Sequence, residues 1–483
     1  MIIHTVWQKS FGFLGSKPIV VEPSAGQLSS DAGLLPIREF DQRIGLTEQF
    51  AQALGDRRRQ RSVDHPFVQM VRMRIYGVLA DYPDQNDHDV LRSDPVFKLI
   101  AGRSPESADL ASQPTLSRFE NAIDVASLNR LRDVLIDQFI ASFDEPPTRL
   151  TFDIDPFDDP THGSQQLTFF HGYYGQYQYL PRVMTCAQTD QVVMACLLFG
   201  TAHAALGADD DIAYLVNRLR AEWPDIDIEL RGDSGLGVPS MYEACEQLQI
   251  FYTFGLGMNA VLKRNSSELL QKAVETFEQT GEKQRLFCKF WYQAGTWSTA
   301  RCVIVKCEAH AQGTNRRAIV TNRPGASVLP QAAYDEYVMR GESENRNKEL
   351  KCGLNADRLS DHRYMANLFR LYLHCAAHNL LVRLRREVVK QIPLNEEDAE
   401  LPVEALAGRA RQRYFNRRRQ EDPLGEGHPC TWRTRLIKVA AEITTTARRI
   451  VVRLSSSWPY LDHYRDVSEN VLHLSSKVPL RPG

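Results

Sequence analysis

The stretch Arg149–Phe157, RLTFDIDPF, is where the texture of the chain changes, and its reading decides the fold. Leu150, Phe152 and Ile154 alternate with polar residues, the period of a strand with one buried face. On such a strand Asp153 and Asp155 point to one side and Ile154 to the other. Downstream, HGYYGQYQYLPRVMTCA (171–187) and DQVVMACLLFG (190–200) read as two more strands. DDDIAYLVNRLRAEW (209–223) has helical spacing, and IDIELRGDSG (226–235) is a strand running into a glycine-bounded turn at Asp233. PSMYEACEQLQ (239–249) is a helix again. Three strands, a helix, a strand and a helix predict a mixed α/β core.

Further along, YDEYVMRGESENRNKELK (334–351) contains Tyr337, Arg340, Glu344 and Lys351 in the pattern Tyr-x2-Arg-x3-Glu-x6-Lys. At 3.6 residues per turn these four fall within about 60° of one another, so one helix face would present them all. A carboxylate flanked by a phenol and two cations suits a metal ion held beside nucleic-acid phosphates; the plain alternative is an exposed face carrying ordinary ion pairs. The rest of the chain supplies further carboxylates. Asp153 and Asp155 share a strand face, Asp233 lies just past a strand, and strand-end loops of α/β sheets are where sites collect. Two carboxylates about 4 Å apart repel by roughly 4 kcal/mol at a surface-like dielectric. A hard divalent cation with oxygen ligands removes that cost, and Mg²⁺ held by one or two carboxylates and phosphate oxygens is the natural occupant.

The flanks of the core read differently. Residues 46–140 are helical by spacing, and SQPTLSRFEN (112–121) sets a polar cap and Pro114 ahead of outward Ser117 and Arg118. That is either a plain capped helix or one built to enter a DNA groove. Between 253 and 330 strand-like runs return (RLFCKFWYQ, STARCVIVKCEA, RRAIVTN), and Asn367–Val389 is a long apolar-faced helix. The expected division is a helical DNA-binding region over 1–148, a core over 149–252, a β-rich insertion over 253–330, the core resumed over 331–390, and a basic region over 391–483.

With 483 residues the chain exceeds what one core buries. The net charge of −2 hides local basic runs: Arg57–Arg61, and twelve Lys or Arg against four acids between 405 and 453, Arg417, Arg418 and Arg419 among them. Basic runs on a near-neutral chain point to polyanion-facing surfaces. Nine scattered cysteines without a Cys-x2-Cys pair argue against a structural zinc site and a secreted disulfide framework. The N-terminus lacks the build of a signal peptide, and no uninterrupted apolar run reads as a membrane span. A cytoplasmic setting is expected.

Taken together, FDIDPFDDPTHGSQQ (152–166), HGYYGQYQYLP (171–181), RGDSG (231–235), YVMRGESENRNKELK (337–351) and the late WRTRLIKVAAEITTTARRIVVRL resemble the DDE transposases of bacterial insertion sequences, in the cut-and-paste class marked by Tyr-x2-Arg-x3-Glu-x6-Lys. The resemblance spans nearly the whole chain. It implies an RNase H-like mixed sheet with a β-rich insertion, and helical regions at both ends. It implies Asp155, Asp233 and Glu344 as catalytic and metal-binding carboxylates for Mg²⁺, with Mn²⁺ able to substitute, and Asp153 as the alternative to Asp155. Tyr337, Arg340 and Lys351 would grip DNA near the cut, and Trp297, in AGTWST, would stack on a flipped base with Trp291 behind it; a core Trp is the other reading of that position. Ser117 and Arg118 would contact DNA. The partners implied are double-stranded DNA, as terminal inverted repeats and target, and a second copy of the chain in the synaptic complex. Two departures stand out: Phe157 where relatives tend to have Thr, and Asn347 where an apolar residue is usual, which is expected to loosen the motif helix.

Overall fold

The computed structural model describes residues 8–11, 17, 19–23, 26–172, 174–388, 413–414, 416–417, 420–425 and 427–475. Its centre is one large mixed sheet. Strands β1 (Arg149–Pro156), β2 (Gln176–Cys186) and β3 (Val192–Phe199) are followed by β4 (Asp227–Gly232), β5 (Phe251–Leu256), β6 (Gln284–Tyr292), β7 (Arg301–His310) and β8 (Gly313–Thr321). Across the sheet the order is β3-β2-β1-β4-β5-β8-β7-β6, and short strands Asp159–Pro160 and Phe169–His171 pair with the start of β2. β1, β2 and β3 run antiparallel, whereas β1, β4 and β5 run parallel. The sequence order 3-2-1-4-5, antiparallel first and parallel after, is the RNase H-like arrangement. The strands between β5 and the motif helix extend this same sheet, because β8 pairs antiparallel with β5.

The helices follow the spacing of apolar residues. α1 (Leu34–Ile44), α2 (Phe67–Leu79), α3 (Gln113–Asn121) and α4 (Val125–Ile140) precede the sheet. α5 (Ala208–Glu222) and α6 (Pro239–Gln247) make the crossover connections into β4 and β5 that parallel strands require. α7 (Ser267–Thr280) lies against the insertion strands β6 and β7. α8 (Pro330–Val338) and α9 (Gly341–Lys348) carry the motif, and α10 (Tyr364–Val388) is buried along most of its length. No helix among the described residues is long and apolar enough to cross a membrane.

Two apolar clusters divide the interior. One fills the sheet and its crossover helices. The other joins the helices before the sheet to α10 and to the C-terminal part. That part is more than helical: β9 (Ala441–Thr445) and β10 (Ile450–Leu454) form a hairpin whose first strand pairs with Leu28–Ser29.

Polar contacts fix the motif helix to this frame. Past α9 the chain widens into a π turn over Glu349–Gly353, a local irregularity frequent at functional sites. Buried Glu349 accepts from Arg346 (2.8 Å), Arg385 (3.2 Å) and His428 (2.9 Å), tying the motif to α10 and the C-terminal part. Burial works against its charge, yet the His428 hydrogen bond and the nearby Arg385 and Arg346 hold its carboxyl well below the usual range. A carboxyl depressed on folding stabilises above its unfolded value of about 4.3, and that stability drains as pH falls toward the folded value. Urea midpoints between pH 7 and pH 3 should therefore fall for the wild type, while Glu349→Gln starts lower at pH 7 and declines less. Parallel curves would remove Glu349 from the acid response.

Candidate active site

β1 and β4 are adjacent and parallel, with Ile154 opposite Gly232. The next rung sets Asp155, at the end of β1, beside Asp233, just past β4. Neighbouring strands lie about 4.8 Å apart, so the register alone makes the two acids neighbours. Asp233 is held in its turn by the Gly235 N–H, which donates to Oδ1 at 2.8 Å. Gly255 of β5 makes room for this turn: a Cβ there would stand 2.8 Å from the Ser234 nitrogen and 2.9 Å from the Tyr337 hydroxyl.

α8 and α9 bring the motif over the same strand ends. The single continuous helix expected from the spacing is interrupted at Met339 and Arg340. The Glu336 carbonyl accepts from the Arg231 guanidinium at 2.9 Å and from Met339 N–H at 3.2 Å, and Arg340 N–H turns to Tyr337 O instead. Gly341 then opens α9. The motif residues still converge. Arg340 lies 3.8 Å from Asp155 Oδ2 and 3.4 Å from Glu344 Oε1, so a positive charge sits between two of the three acids. Its guanidinium carbon is 5.9 Å from the centre of the Tyr337 ring. Lys351, in the π turn, pairs with Asp158 at 2.6 Å, an acid in the turn after β1.

Asp153 and Asp155, alike by alternation, have different surroundings. Asp153 is buried, and both its oxygens accept from Arg231, at 2.7 and 2.8 Å. Arg231 in turn holds the end of α8, so this pair fastens the motif helix to the sheet. Asp155 is less enclosed, and its environment favours the neutral acid. Burial pushes its carboxyl up to about 7; Arg340 opposes, while Asp233 and Glu344 add to the rise. Phe157 is buried in the core and its N–H donates to Pro181 O at 2.8 Å, so the turn is held by backbone and packing.

Asn347 does the opposite of loosening. Nearly buried on α9, one turn after Glu344, it donates its amide to Asp155 Oδ2 at 3.0 Å. It links the sheet acid to the helix that carries the third acid. A lost hydrogen bond to a charged group is worth about 1.5 kcal/mol, roughly tenfold in rate where it orients a reacting group. Asn347→Leu should lower strand cleavage by about that factor, and Asn347→Gln should recover part of it; equal loss in both would make the contact incidental.

The other expected DNA contacts are less uniform. Trp297 is only 7% exposed, packed among the rings of Tyr242 and Tyr292 with the Arg301 guanidinium 5.6 Å from its centre. It is therefore a core residue of the insertion, and stacking on a base is unavailable to it. Trp291, on the edge strand β6, is 69% exposed. Ser117 is half-buried and Arg118 exposed on α3, where Arg118 also bonds Thr115 Oγ1 at 3.1 Å. In the late basic run, Arg433 is buried and donates to the Val78 and Leu79 carbonyls, and Lys438 pairs with Asp31 at 2.7 Å. These two bind the C-terminal part to the N-terminal part of the chain. Arg409, Arg411, Arg418 and Arg419 lie outside the described residues.

An RNase H-like sheet with two aspartates at adjacent strand ends and a glutamate on the facing helix defines a phosphodiester-processing class. The chain belongs to the transposases: residues 11–401 match the family described as "Transposase DDE domain group 1". No curated protein is significantly similar in sequence. Among solved structures, the cryo-EM piggyBac transposase synaptic complex with hairpin DNA is similar at a TM-score of 0.38 and 14% identity, over 95% of this chain and 90% of that one. At that level it carries no weight for the site.

DDE transposases use divalent metal ions, and the donor set here fits one. The three acids offer only hard oxygens, and Arg340 supplies positive charge between Asp155 and Glu344. Among the described residues, no three acidic, imidazole or thiol groups converge closely enough to hold an ion as they stand. The Glu344 side chain is exposed, with room to change rotamer.

Proposed function

We propose that this transposase binds the terminal inverted repeats of its own insertion sequence, cleaves DNA there, and joins the freed 3′-hydroxyls to target DNA. The observation that carries the reading is the pairing of Asp155 and Asp233 on adjacent strand ends beneath Glu344, with Arg340 between the acids. In this reading Asp155, Asp233 and Glu344 hold Mg²⁺, or Mn²⁺ in its place. Such an ion supplies Lewis-acid stabilisation of the phosphate and a more acidic attacking water or 3′-hydroxyl. Asn347 and Arg340 orient Asp155, the Asp153–Arg231 pair sets the height of the motif helix over the sheet, and Tyr337 and Lys351 face the strand near the cut. Working on two ends at once calls for two copies of the chain in the synaptic complex.

Joining separates this reading from that of a nuclease that only cuts. Pre-cleaved repeat ends incubated with supercoiled plasmid and Mg²⁺ should yield covalently joined product. Cleavage of intact ends without any joined product would reduce the protein to a nuclease, and repeat binding without either would leave a DNA-binding protein.

A further inference from the structure

One carboxylate near the motif stands apart from its neighbours. Asp159, on the short strand that pairs with β2, is fully buried opposite Tyr179. Neither of its side-chain oxygens has a hydrogen-bond partner among the described residues. Two residues on, Thr161 N–H donates to Tyr177 O at 2.9 Å, so the pairing continues and the two side chains fall on one side of the chain. The Thr161 hydroxyl is buried and likewise has no partner among the described residues. The neighbouring acids are satisfied. Asp158 accepts from Lys351 at 2.6 Å and from Gln176 at 3.2 Å, and Asp361 accepts from Asn121 at 3.0 Å and from Arg363 N–H at 2.9 Å.

An unpartnered buried carboxylate is costly, because it loses its water and gains no interaction in return. Burial pushes the Asp159 carboxyl well above the usual range, and the charge of Asp357 adds to the rise. The Leu359 N–H and the Lys351 ammonium favour its charge only from outside hydrogen-bonding geometry. Lys351, whose charge reaches both Asp159 and Asp357, is committed to Asp158. A proton does not settle the site. A neutral carboxyl still has an O–H that needs an acceptor and a carbonyl that needs a donor. A hard cation satisfies the two Asp159 oxygens and the Thr161 hydroxyl together, and it offsets the charge of both carboxylates.

We propose that Asp159, Thr161 and Asp357 form a second cation site, apart from the catalytic acids, which takes a hard divalent ion and prefers Ca²⁺. Ca²⁺ accepts irregular sets of oxygen ligands, whereas Mg²⁺ gives up its waters reluctantly. The site joins the turn after β1 to the segment that follows Lys351. That segment is also held by Ala356 N–H on Leu350 O at 3.0 Å and by Gln165 Nε2 on Asp361 O at 3.0 Å. An ion here fixes Lys351 and its partner Asp158 over the strand end and takes no part in the chemistry. The inference stands without the proposed function, since it needs no DNA.

The test uses the full chain carrying Asp155→Asn and Glu344→Gln, so that the catalytic acids contribute no ion-dependent signal. Saturating Ca²⁺ should raise its melting temperature by about 3–5 °C over EDTA, and Mg²⁺ by less. Tb³⁺, used as a Ca²⁺ probe, should emit on tyrosine excitation, since Tyr179 stands across the strand pair from Asp159. Adding Asp159→Asn should remove both responses without lowering the melting temperature in EDTA, where it deletes an uncompensated charge. Thr161→Val should raise the Ca²⁺ concentration at half effect by about 10-fold. Glu278→Gln, at an exposed position on α7, should leave both responses as they are. Equal melting temperatures in Ca²⁺ and EDTA would overturn the proposal and leave Asp159 a buried neutral acid. So would a Ca²⁺ response that survives Asp159→Asn, which would place the ion elsewhere, and a response to Mg²⁺ as large as that to Ca²⁺ would refute the preference. Because two catalytic acids are replaced throughout, failure here leaves the reading of metal-dependent cleavage untouched.

Discussion

Asp155→Asn is expected to lower strand cleavage by about 10³-fold or more while leaving the protein folded. The amide keeps the shape of the side chain and still accepts from Asn347, so the geometry around Oδ2 survives. What disappears is the negative charge that a divalent ion needs at the end of β1. Asp153→Asn, two residues away on the same strand face, should behave in the opposite way. It removes the charge partner of the buried Arg231 and loosens the hold on α8, at a stability cost of about 3 kcal/mol. Urea midpoints and single-turnover cleavage measured on both variants separate the two roles. If Asp153→Asn abolished cleavage at unchanged stability, and Asp155→Asn did not, the assignment of the first carboxylate would be reversed.

The largest stability effect is expected at Glu120→Ala. Glu120 is fully buried on α3 and bridges two arginines, Arg74 of α2 at 2.7 Å and Arg370 of α10 at 2.6 Å. Arg74 also donates to Pro83 O at 2.8 Å, and Arg370 to Ser360 Oγ at 2.9 Å, so both guanidiniums are fixed in place and cannot swing out to water. Deleting the carboxylate strips buried Arg74 of its ion pair and leaves Arg370 only Asp361, 3.4 Å away, a loss of about 3 kcal/mol. The consequence reaches beyond stability, because α3 presents Ser117 and Arg118 and is held to α10 through this triad. DNA binding by Glu120→Ala should weaken even below its melting temperature. A change in unfolding free energy under about 1 kcal/mol would show that the triad contributes nothing net.

Much of the architecture was legible in the order of residues. Alternation at Leu150, Phe152 and Ile154 marked β1, and the turn chemistry of Arg231–Gly235 marked the end of β4. Those two readings place Asp155 and Asp233 side by side before any long-range contact is known. Other features depend on partners far away in sequence, which periodicity does not see. Arg231 binds Asp153, which distinguishes it from Asp155, and also takes the Glu336 carbonyl where the motif helix is interrupted. Asn347 looked misplaced on its helix because its partner lies on another element, 192 positions earlier. Trp297 in a turn reads either as a stacking ring or as a core one from sequence, and Tyr242, Tyr292 and Arg301 close around it. The exposed aromatics of the β2 hairpin were present in the run FFHGYYGQY but read only as strand residues, since alternation does not tell which face the rest of the fold covers.

The most direct measurement mixes purified protein with an end-labelled duplex carrying the DNA that borders its own coding locus, with Mg²⁺ or with EDTA, beside Asp233→Asn and Glu344→Gln. Cuts at the repeat boundary that need Mg²⁺ and vanish in both variants are the predicted result. Cuts that persist in Glu344→Gln, or that proceed equally in EDTA, would contradict a metal-dependent site built from Asp155, Asp233 and Glu344.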